Sequence, residues 1–451
     1  MAENGHGARR DAPEVVPDGP SGGAAGPRVS VIMANWRGER YLAQAIASVL
    51  AQVMGDLELL IADDASDDRS LEIARAAAAV DGRVRVLPAP GNEGPSAARN
   101  RALEAARGEW IAVVDSDDLL HPRRFEILLD AAQGLGADMV ADDMAFFGEG
   151  PGAGGRTLLG PLDLRAARMV DAAFFVRSND AGNDLPSLGY LKPLVRRATV
   201  GDLRYDPLVR VGEDYDLYLR LLLRGARFAL MPLPLYLYRR HGTSLSHRLS
   251  VAALEPLLAA HEAVVGSLGA GPPHGLTEAL ARRGRSLARA LRFERLVEAL
   301  KARRGGQVAR LLLRDPVLLR LLARSLGERL SRRRGEAAAE AAPPARVLLL
   351  PVGGDRPERV RGGSARDGAL EVPPLGPDRL DAGPALRDLV CRLTVLAARG
   401  PVDVTVAGPA ALDGLGFLPG WRRAEVWIAE AEEAALLRPL PPGVEVRRLG
   451  R

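Results

Sequence analysis

Apolar runs alternate with amphipathic stretches from Arg28 onward. Four short runs rich in leucine and β-branched residues are typical of buried strands: RVSVIMAN, LELLIA, RVRVLP and EWIAVV. Between them the apolar positions repeat with helical spacing. The first such stretch predicts one apolar helical face, formed by Leu42, Ile46, Val49, Leu50 and Val53. Near-continuous apolar strands separated by single helices predict an α/β fold with a mostly parallel sheet flanked by helices.

The pattern changes twice toward the C-terminus. Residues 251–335 predict a basic helical segment, with leucine on one face and arginine on the other. An Ala- and Pro-rich linker at 336–344 then precedes four apolar runs and one helical stretch, which predict a small α/β domain over 345–451 without a motif that indicates its role. Residues 1–27, rich in Gly, Pro and Ala and lacking an apolar core, predict a disordered leader rather than a secretory signal. The main α/β domain is therefore expected over residues 28–250.

Composition and charge refine this picture. A chain of 451 residues, 47% hydrophobic and 26% charged, is typical of a globular protein of two or three domains. Residues 282–334 contain 17 Lys and Arg against 4 Asp and Glu, a charge of +13 that leaves −9 for the rest of a chain whose total is +4. The one cysteine, Cys391, excludes an intramolecular disulfide and a Cys-based zinc site and fits a reducing compartment, so we expect a cytoplasmic location. No apolar run approaches the roughly 18 residues that span a bilayer.

Acidic residues follow two of the predicted strands. The fourth strand is followed by the acidic turn Asp115–Asp118, and the second by Asp63 and Asp64. In parallel sheets, ligands bind at the carboxyl ends of strands. Two carboxylates one residue apart can share Mg²⁺ or Mn²⁺, which prefer oxygen ligands, or they can form a solvated turn that caps a helix. Likewise, the second cluster can accept hydrogen bonds from a uracil edge or a ribose hydroxyl, or cap the next helix through Ser66 or Asp67.

Three further stretches contain residue types suited to chemistry. GNEGPSAARNRAL is a Gly-rich turn entering a helix, which predicts either an anion site supported by Arg99 and Arg101 or an ordinary helix start. Glu213 and Asp214 stand in the first turn of another predicted helix, where an acid either takes a proton from a hydroxyl or simply complements the helix dipole. His241 can join a metal site, contact phosphate or be structural. The sequence has no phosphate loop of the Gly-x-x-x-x-Gly-Lys-Ser/Thr type, and no Gly-x-Gly-x-x-Gly follows the first strand, which disfavours nucleotide binding by those routes.

Taken in order, these stretches resemble the inverting glycosyltransferases of family 2, which have the GT-A fold. The matching segments lie between residues 28 and about 248 and read VSVIMANWRGERYLAQAIASVLAQ, LELLIADDASDD, NEGPSAARNRALEAARGEWIAVVDSDD and VGEDYDLYLRLLLRG. The resemblance implies a GT-A-type sheet and the transfer of a sugar from a nucleotide-diphosphate donor, UDP-linked in our expectation, to an acceptor hydroxyl in polysaccharide or glycoconjugate synthesis.

The resemblance also implies roles for individual residues. The nucleotide sugar is expected to contact Ala34, Trp36, Asp63, Asp64, Asn100, Arg101 and Ser116. The metal ion, Mn²⁺ or Mg²⁺, is expected on Asp115, Asp117 and His241. The catalytic base is expected to be Asp214, with Glu213 beside it. In this scheme the metal neutralises the departing diphosphate and a single displacement inverts the anomeric carbon.

Two other functions compete with this hypothesis. One is a catalytically inactive GT-A-like scaffold that binds sugar nucleotides, and the other is a nucleotidyltransferase, which would need no base at Asp214. For the basic segment 282–334, one hypothesis is peripheral contact with the inner face of the membrane, where lipid-linked acceptors reside. The alternatives are nucleic acid, disfavoured by the scarcity of aromatic residues, and a helical subdomain with solvated arginines. We therefore expect a nucleotide-sugar donor and a glycan, lipid-linked or other hydroxyl acceptor as partners, and no nucleic acid.

Overall fold

The computed structural model describes residues 26–148, 157–180, 183–241, 250–269 and 273–323, together with five strands between 345 and 448. Three predicted segments fall outside the described residues: the linker 336–344, the helix at 385–399 and, except for its last two residues, the leader 1–27.

The first half of the main domain follows the predicted alternation of strands and helices. In chain order the elements are β1 (Val29–Asn35), α1 (Leu42–Leu50), β2 (Leu57–Asp63), α2 (Ser70–Val80), β3 (Val84–Pro88), α3 (Pro95–Ala105) and β4 (Trp110–Val113). The strands lie in the order β3-β2-β1-β4 and pair in parallel, which confirms the predicted sheet. All seven residues of β2 are buried, as expected for a strand covered on both faces.

Two local predictions in this half are wrong. Val53 was expected on the buried face of α1, but the helix ends at Leu50 and Val53 is 64% exposed. Its backbone N–H bonds instead to the carbonyl of Pro122, so the chain has already left the helical path. Neither Ser66 nor Asp67 caps α2, which begins at Ser70 after Arg69; the nearby carboxylate of Asp68 accepts the N–H of Ser70.

The second half of the main domain widens the sheet with short strands. The elements are β5 (Leu119–Leu120), α4 (Arg124–Leu135), β6 (Met139–Ala141), β7 (Met144–Gly148), β8 (Arg168–Val170), α5 (Ala172–Ser178), β9 (Leu194–Arg196), α6 (Arg197–Val200), α7 (Glu213–Leu223), β10 (Phe228–Leu230) and β11 (Tyr236–Arg240). The main sheet has the order β3-β2-β1-β4-β9-β6-β10-β8, with β9 antiparallel to both of its neighbours, and β5-β11-β7 form a second small sheet. Because β9 lies beside β4, the segment before it meets the acidic turn.

The described part of the basic segment is helical. It contains α8 (Val251–Gly266), α9 (Leu276–Lys301) and α10 (Gly305–Arg314). Leucines of α9 at 276, 280, 291 and 296 are buried, and the helix packs against α5 and α8. No helix within the described residues has the length and apolar character needed to cross a bilayer.

The described strands of the C-terminal region form one parallel sheet. They are β12 (Ala345–Pro351), β13 (Ala369–Val372), β14 (Val402–Ala407), β15 (Trp421–Ile428) and β16 (Val444–Arg448), in the order β13-β12-β14-β15-β16. The four predicted strands are present, and β13 is a fifth that the sequence pattern did not indicate.

Candidate active site

The ends of β1 and β2 are joined by a buried carboxylate. Asp63 is 1% exposed and accepts hydrogen bonds from Asn35 Nδ2 at 2.9 Å, Ser66 Oγ at 2.7 Å and the Ser66 backbone N–H at 2.9 Å. These bonds shape the turn after β2. Asp63 therefore stabilises this turn, and its carboxylate has few lone pairs left to accept hydrogen bonds from a ligand.

The neighbouring carboxylate fills the anion site that the sequence predicted. Asp64 accepts the backbone N–H groups of Glu93 at 3.0 Å and Gly94 at 2.8 Å, just before α3 begins. Gly94 has φ +94°, a conformation that favours glycine and directs its N–H toward the carboxylate. In this structure the anion at the start of α3 is thus an internal side chain.

The two predicted nucleotide contacts on α3 are also engaged. The side-chain amide of Asn100 donates to the carbonyl of Tyr205 and accepts the N–H of Tyr205, both at 2.8 Å. These two bonds fix the loop that contains Tyr205 to α3. Arg101 donates to the carbonyl oxygens of Leu87 at 3.2 Å and Asp63 at 3.0 Å, although part of its side chain stays accessible. Only the accessible part of Arg101 is suited to a ligand contact.

The loop after β1 presents an open aromatic face. Ala34 is partly buried near the end of β1, and Trp36 just beyond it is 45% exposed with the guanidinium of Arg37 4.7 Å from its ring centroid. Gly38 brings this loop to the acidic turn, because a Cβ there would lie 3.4 Å from Ser116 Oγ. The loop that contains Trp36 therefore lies against the acidic turn at Ser116.

The three acids after β4 have three different environments. Asp118 is 1% exposed and accepts hydrogen bonds from Tyr236 Oη and the Arg239 N–H, both at 2.7 Å. Burial, with the nearby charges of Asp117 and Asp115, raises the pKa of Asp118 well above its usual value. Asp118 thus fixes the turn onto β11 and is not a ligand for an incoming ion.

Asp117 lies beside His241. The carboxylate Oδ2 is 2.7 Å from His241 Nε2, and the Asp117 side chain is 33% exposed. Arg239 Nε stabilises the turn by donating a 2.6 Å hydrogen bond to the backbone carbonyl of Asp117. Two residues that are 124 positions apart in the chain thus meet at an accessible point.

Asp115 is instead surrounded by cations. Arg99 Nη2 donates to its Oδ1 at 2.9 Å, and Lys192 Nζ lies 2.9 Å from its Oδ2. Burial would raise the pKa of Asp115, but Lys192 and Arg99 outweigh it and lower the pKa to about 2. Asp115 is therefore ionised and compensated by protein groups.

The same two cations hold the acids of α7. Arg99 Nη1 donates to Glu213 Oε1 at 2.6 Å, and Lys192 Nζ donates to Asp214 Oδ2 at 2.6 Å. Asp214 Oδ1 is buried with no hydrogen-bond partner and lies 4.0 Å from Arg99 Nη1. Burial raises the pKa of Glu213 despite Arg99. We call Arg99, Asp115, Lys192, Glu213 and Asp214 the charge cluster.

Sequence reasoning found the acids of the charge cluster but not how their charges are balanced. Arg99 was expected either to support an anion site or to be a surface arginine at an ordinary helix start, whereas it is 5% exposed and bonded to carboxylates. Lys192 was not identified at all, because a single lysine in an irregular segment has no spacing signal. What could have suggested it is the need of several buried acids for nearby cations.

Comparison with known proteins decides the family. The model for glycosyl transferase family 2 matches residues 30–178. The succinoglycan biosynthesis protein ExoO of Rhizobium meliloti (strain 1021) is 33% identical over 311 residues, which cover 68% of this chain and 87% of that protein. The chain belongs to glycosyltransferase family 2. A second relative, ExoU of the same organism, is 36% identical over 248 residues, 54% of this chain and 70% of that protein.

Solved structures similar to this family 2 glycosyltransferase are more distant. TarS 1-349 of S. aureus in complex with UDP-GlcNAc is 19% identical with a TM-score of 0.49, over 63% of this chain and 79% of that one. The mannosyltransferase PcManGT of Pyrobaculum calidifontis, in complex with GDP-Man and Mn²⁺, is 18% identical with a TM-score of 0.43, over 68% and 81%. The GT-A assignment follows from the family and from the observed sheet.

The candidate metal site of the glycosyltransferase consists of Asp117 and His241. Within the described residues, no group of three or more His, Cys, Asp or Glu side chains forms a metal site. Mg²⁺, however, is usually held by one or two protein groups together with substrate phosphates. Asp117 supplies an accessible carboxylate, a ligand type that suits Mn²⁺ or Mg²⁺, and His241 Nε2 lies beside it. The structure gives Asp115 a different set of partners, Arg99 and Lys192.

Proposed function

We propose that this enzyme transfers a sugar from a UDP-linked donor to an acceptor hydroxyl with inversion at the anomeric carbon, assisted by Mn²⁺ or Mg²⁺, in polysaccharide or glycoconjugate synthesis. Family membership supports the transfer of a sugar. The relatives ExoO and ExoU are named for the biosynthesis of succinoglycan, which supports a polysaccharide product. The UDP-linked donor, the metal and the inversion go beyond family membership and belong to the proposal.

One observation carries the proposal. Asp115 stands two residues before the metal-binding candidate Asp117, and Lys192 joins its carboxylate to that of Asp214. Lys192 therefore connects the acidic turn, where we place the diphosphate, to Asp214, the proposed base. In the proposal, Asp117 and His241 hold the donor diphosphate and Asp214 meets the acceptor hydroxyl.

The residues of the chain then have complementary tasks. Trp36 offers a stacking face for the base of the nucleotide. Asp117 and His241 would hold the cation, which supplies positive charge to the diphosphate. Asp214 accepts the proton of the acceptor hydroxyl as that oxygen bonds to the anomeric carbon from the face opposite the leaving group. The bond between that carbon and the phosphate oxygen breaks, and its electron pair leaves with the nucleoside diphosphate.

A donor screen with two variants tests this proposal. UDP release would be measured with UDP-glucose, UDP-galactose and UDP-GlcNAc in Mn²⁺, and UDP binding by calorimetry with and without the ion. Asp214→Asn should keep Mn²⁺-dependent UDP binding and lose on the order of 10²- to 10⁴-fold in kcat, since the base is gone. Asp117→Ala should weaken the metal-dependent part of UDP binding at least about 10-fold.

Asp130→Asn provides a matched control, because this exposed aspartate on α4 lies outside the site. It should match the unmodified enzyme in both assays. Normal turnover by Asp214→Asn would remove the assigned base. UDP binding that is equally tight without any divalent ion would remove the metal from the proposal.

We further propose that the acceptor is reached at an anionic membrane surface through residues 282–323. Within the described part of that segment, none of the ten residues of α10 is buried, and Leu313 is 83% exposed. The stretch carries 12 Lys and Arg against 3 Asp and Glu. Exposed leucine beside arginine on one helix is the pattern of a peripheral membrane contact.

A further inference from the structure

Lys192 is a buried cation held between two acids of the proposed site. It is 6% exposed, and its Nζ lies 2.6 Å from Asp214 Oδ2 and 2.9 Å from Asp115 Oδ2. Buried lysines are rare unless they are paired, and this one has two partners from different elements. It therefore links the turn after β4 to the first turn of α7.

The backbone of Lys192 is held by a hydrogen bond from a buried arginine. Its carbonyl accepts a hydrogen bond from Nη2 of Arg124, which is fully buried and paired with Asp142 at 2.7 Å. Three residues earlier, the N–H of Gly189 bonds to Asn179 Oδ1 at 2.8 Å. A long flexible side chain can hold a fixed geometry only when its backbone and both partners are fixed. Here Arg124 holds the backbone, Arg99 holds the Asp115 carboxylate, and Asp214 stands in the first turn of α7.

The charge cluster contains one more acid than it has cations. Arg99 and Lys192 carry +2, and Asp115, Glu213 and Asp214 carry −3 when all are ionised, so the sum is −1. Uptake of one proton by Asp214 brings the sum to zero. Lys192 would then still face ionised Asp115, so the ammonium is never left buried without a counter-ion, which would be costly.

We infer that Lys192 is the positioning residue for the catalytic base, keeping Asp214 in place before transfer and remaining paired with Asp115 after it. This inference rests on the proposed function. In the step itself, the acceptor O–H bond breaks, the proton goes to the Asp214 carboxylate, the acceptor oxygen bonds to the anomeric carbon, and the nucleoside diphosphate leaves with the electron pair. Lys192 neither gains nor loses a proton.

Substitution of Lys192 should therefore affect turnover more than donor binding. Lys192→Met keeps the length of the side chain and removes its charge. With the best of the three UDP-sugars in the donor screen, we expect kcat for UDP release to fall on the order of 100-fold, while the donor KM changes by less than about threefold. Lys192→Arg keeps a cation within reach of both carboxylates and should restore kcat to within about 10-fold of the unmodified enzyme.

Arg85→Met is the matched control. Arg85 pairs at 3.2 Å with another buried acid, Glu58, on the opposite side of the sheet order from Lys192, and its loss should leave kcat and KM unchanged. In a double variant, Lys192→Met should add little to the loss caused by Asp214→Asn, because residues that act as a unit are not additive.

The outcomes distinguish failure of the proposed function from failure of the role inferred for Lys192. If the unmodified enzyme releases no UDP from any donor, the proposed function fails and takes this inference with it. If it does, but Lys192→Met keeps its kcat or loses donor binding as strongly as kcat, only the inference is overturned. Should Lys192→Met not fold, Lys192→Arg decides: a folded protein with kcat about 100-fold down overturns the inference, and near-normal kcat and KM support it.

Discussion

Asp143 lies immediately before β7 and is fully buried, and within the described residues no Lys, Arg or His forms an ion pair with it. Its Oδ1 accepts the N–H groups of Met144 at 2.8 Å and Leu159 at 2.6 Å, whereas its Oδ2 is buried without a hydrogen bond. Burial raises the pKa of Asp143 to about 7, against the opposing effect of these hydrogen bonds. In the unfolded chain an aspartate titrates near pH 4. The folded state therefore binds this proton more tightly.

The free energy of unfolding that Asp143 contributes falls as the pH rises. Stability from this group is fully present below about pH 4 and is lost as the pH rises to about 7, because only the unfolded chain then releases the proton readily. Between pH 5 and pH 8 the loss is about 3 kcal/mol. We expect Asp143→Asn to flatten the fall in the midpoint of urea unfolding over this range. Asp130→Asn should reproduce the original slope, and a steep slope retained by Asp143→Asn would contradict the assignment.

Single residues were predictable where their chemistry is local. The positions of Asp117 after β4 and of Asp214 in the first turn of α7 were predictable, because strand ends and helix starts can be read from the sequence pattern. The partners of Asp64 and Asn100 were not predictable, since their hydrogen bonds go to loops 28 or more positions away. Lys192 was missed for the same reason: its importance comes from two carboxylates that only the tertiary fold brings to it.

At the scale of elements, long periodic stretches were predictable and short ones were not. β1, β2 and α3 repeat their pattern over seven or more residues, which is enough to identify the period. β9 has only three residues, yet it occupies a central position in the sheet and pairs antiparallel with β4. Three residues cannot display a period, so the strand that delivers Lys192 to the site gave no signal in the sequence.

Helix α9 supports the catalytic elements from outside. Arg283 is buried, its guanidinium carbon lies 3.7 Å from the ring centroid of Tyr215, and it donates to the carbonyl of Asn179. Tyr215 follows Asp214 on α7, and Asn179 bonds to Gly189 ahead of Lys192. The helix of the basic segment is therefore part of the structure that holds both ends of the Lys192–Asp214 contact.

Removal of this support should weaken the fold and slow the reaction together. We expect Arg283→Met to lower the free energy of unfolding by about 2 kcal/mol, because a desolvated cation–π contact and a charged hydrogen bond are lost. Calorimetry would measure the shift in the transition, and UDP release would measure the effect on turnover. Arg285→Met, two residues along and exposed, should change neither. Equal behaviour of the two variants would show that α9 does not support the site.

At the scale of the whole molecule, charge is separated along the chain. The acidic residues of the site lie in a part of the chain with a net negative charge, whereas residues 282–323 carry a net +9, the difference between 12 cations and 3 acids. This segregation was visible in the sequence, but the exposure of Leu313 was not, since leucines at helical spacing more often pack inward. The two together favour an anionic surface as the partner of α10.

Vesicle binding tests this role of α10. The protein should sediment with vesicles of phosphatidylcholine mixed with phosphatidylglycerol and much less with phosphatidylcholine alone, since each arginine near an anionic surface contributes about 1 kcal/mol. Arg310→Gln with Arg314→Gln should then weaken binding by about 2 kcal/mol, roughly 30-fold. Leu313→Ser should weaken it without changing its salt dependence, because it removes apolar area and not charge. Arg69→Gln, an exposed charge on the sheet domain, should bind like the unmodified protein. Equal binding to both kinds of vesicle, or binding to neither, would leave the arginines of α10 as solvated surface.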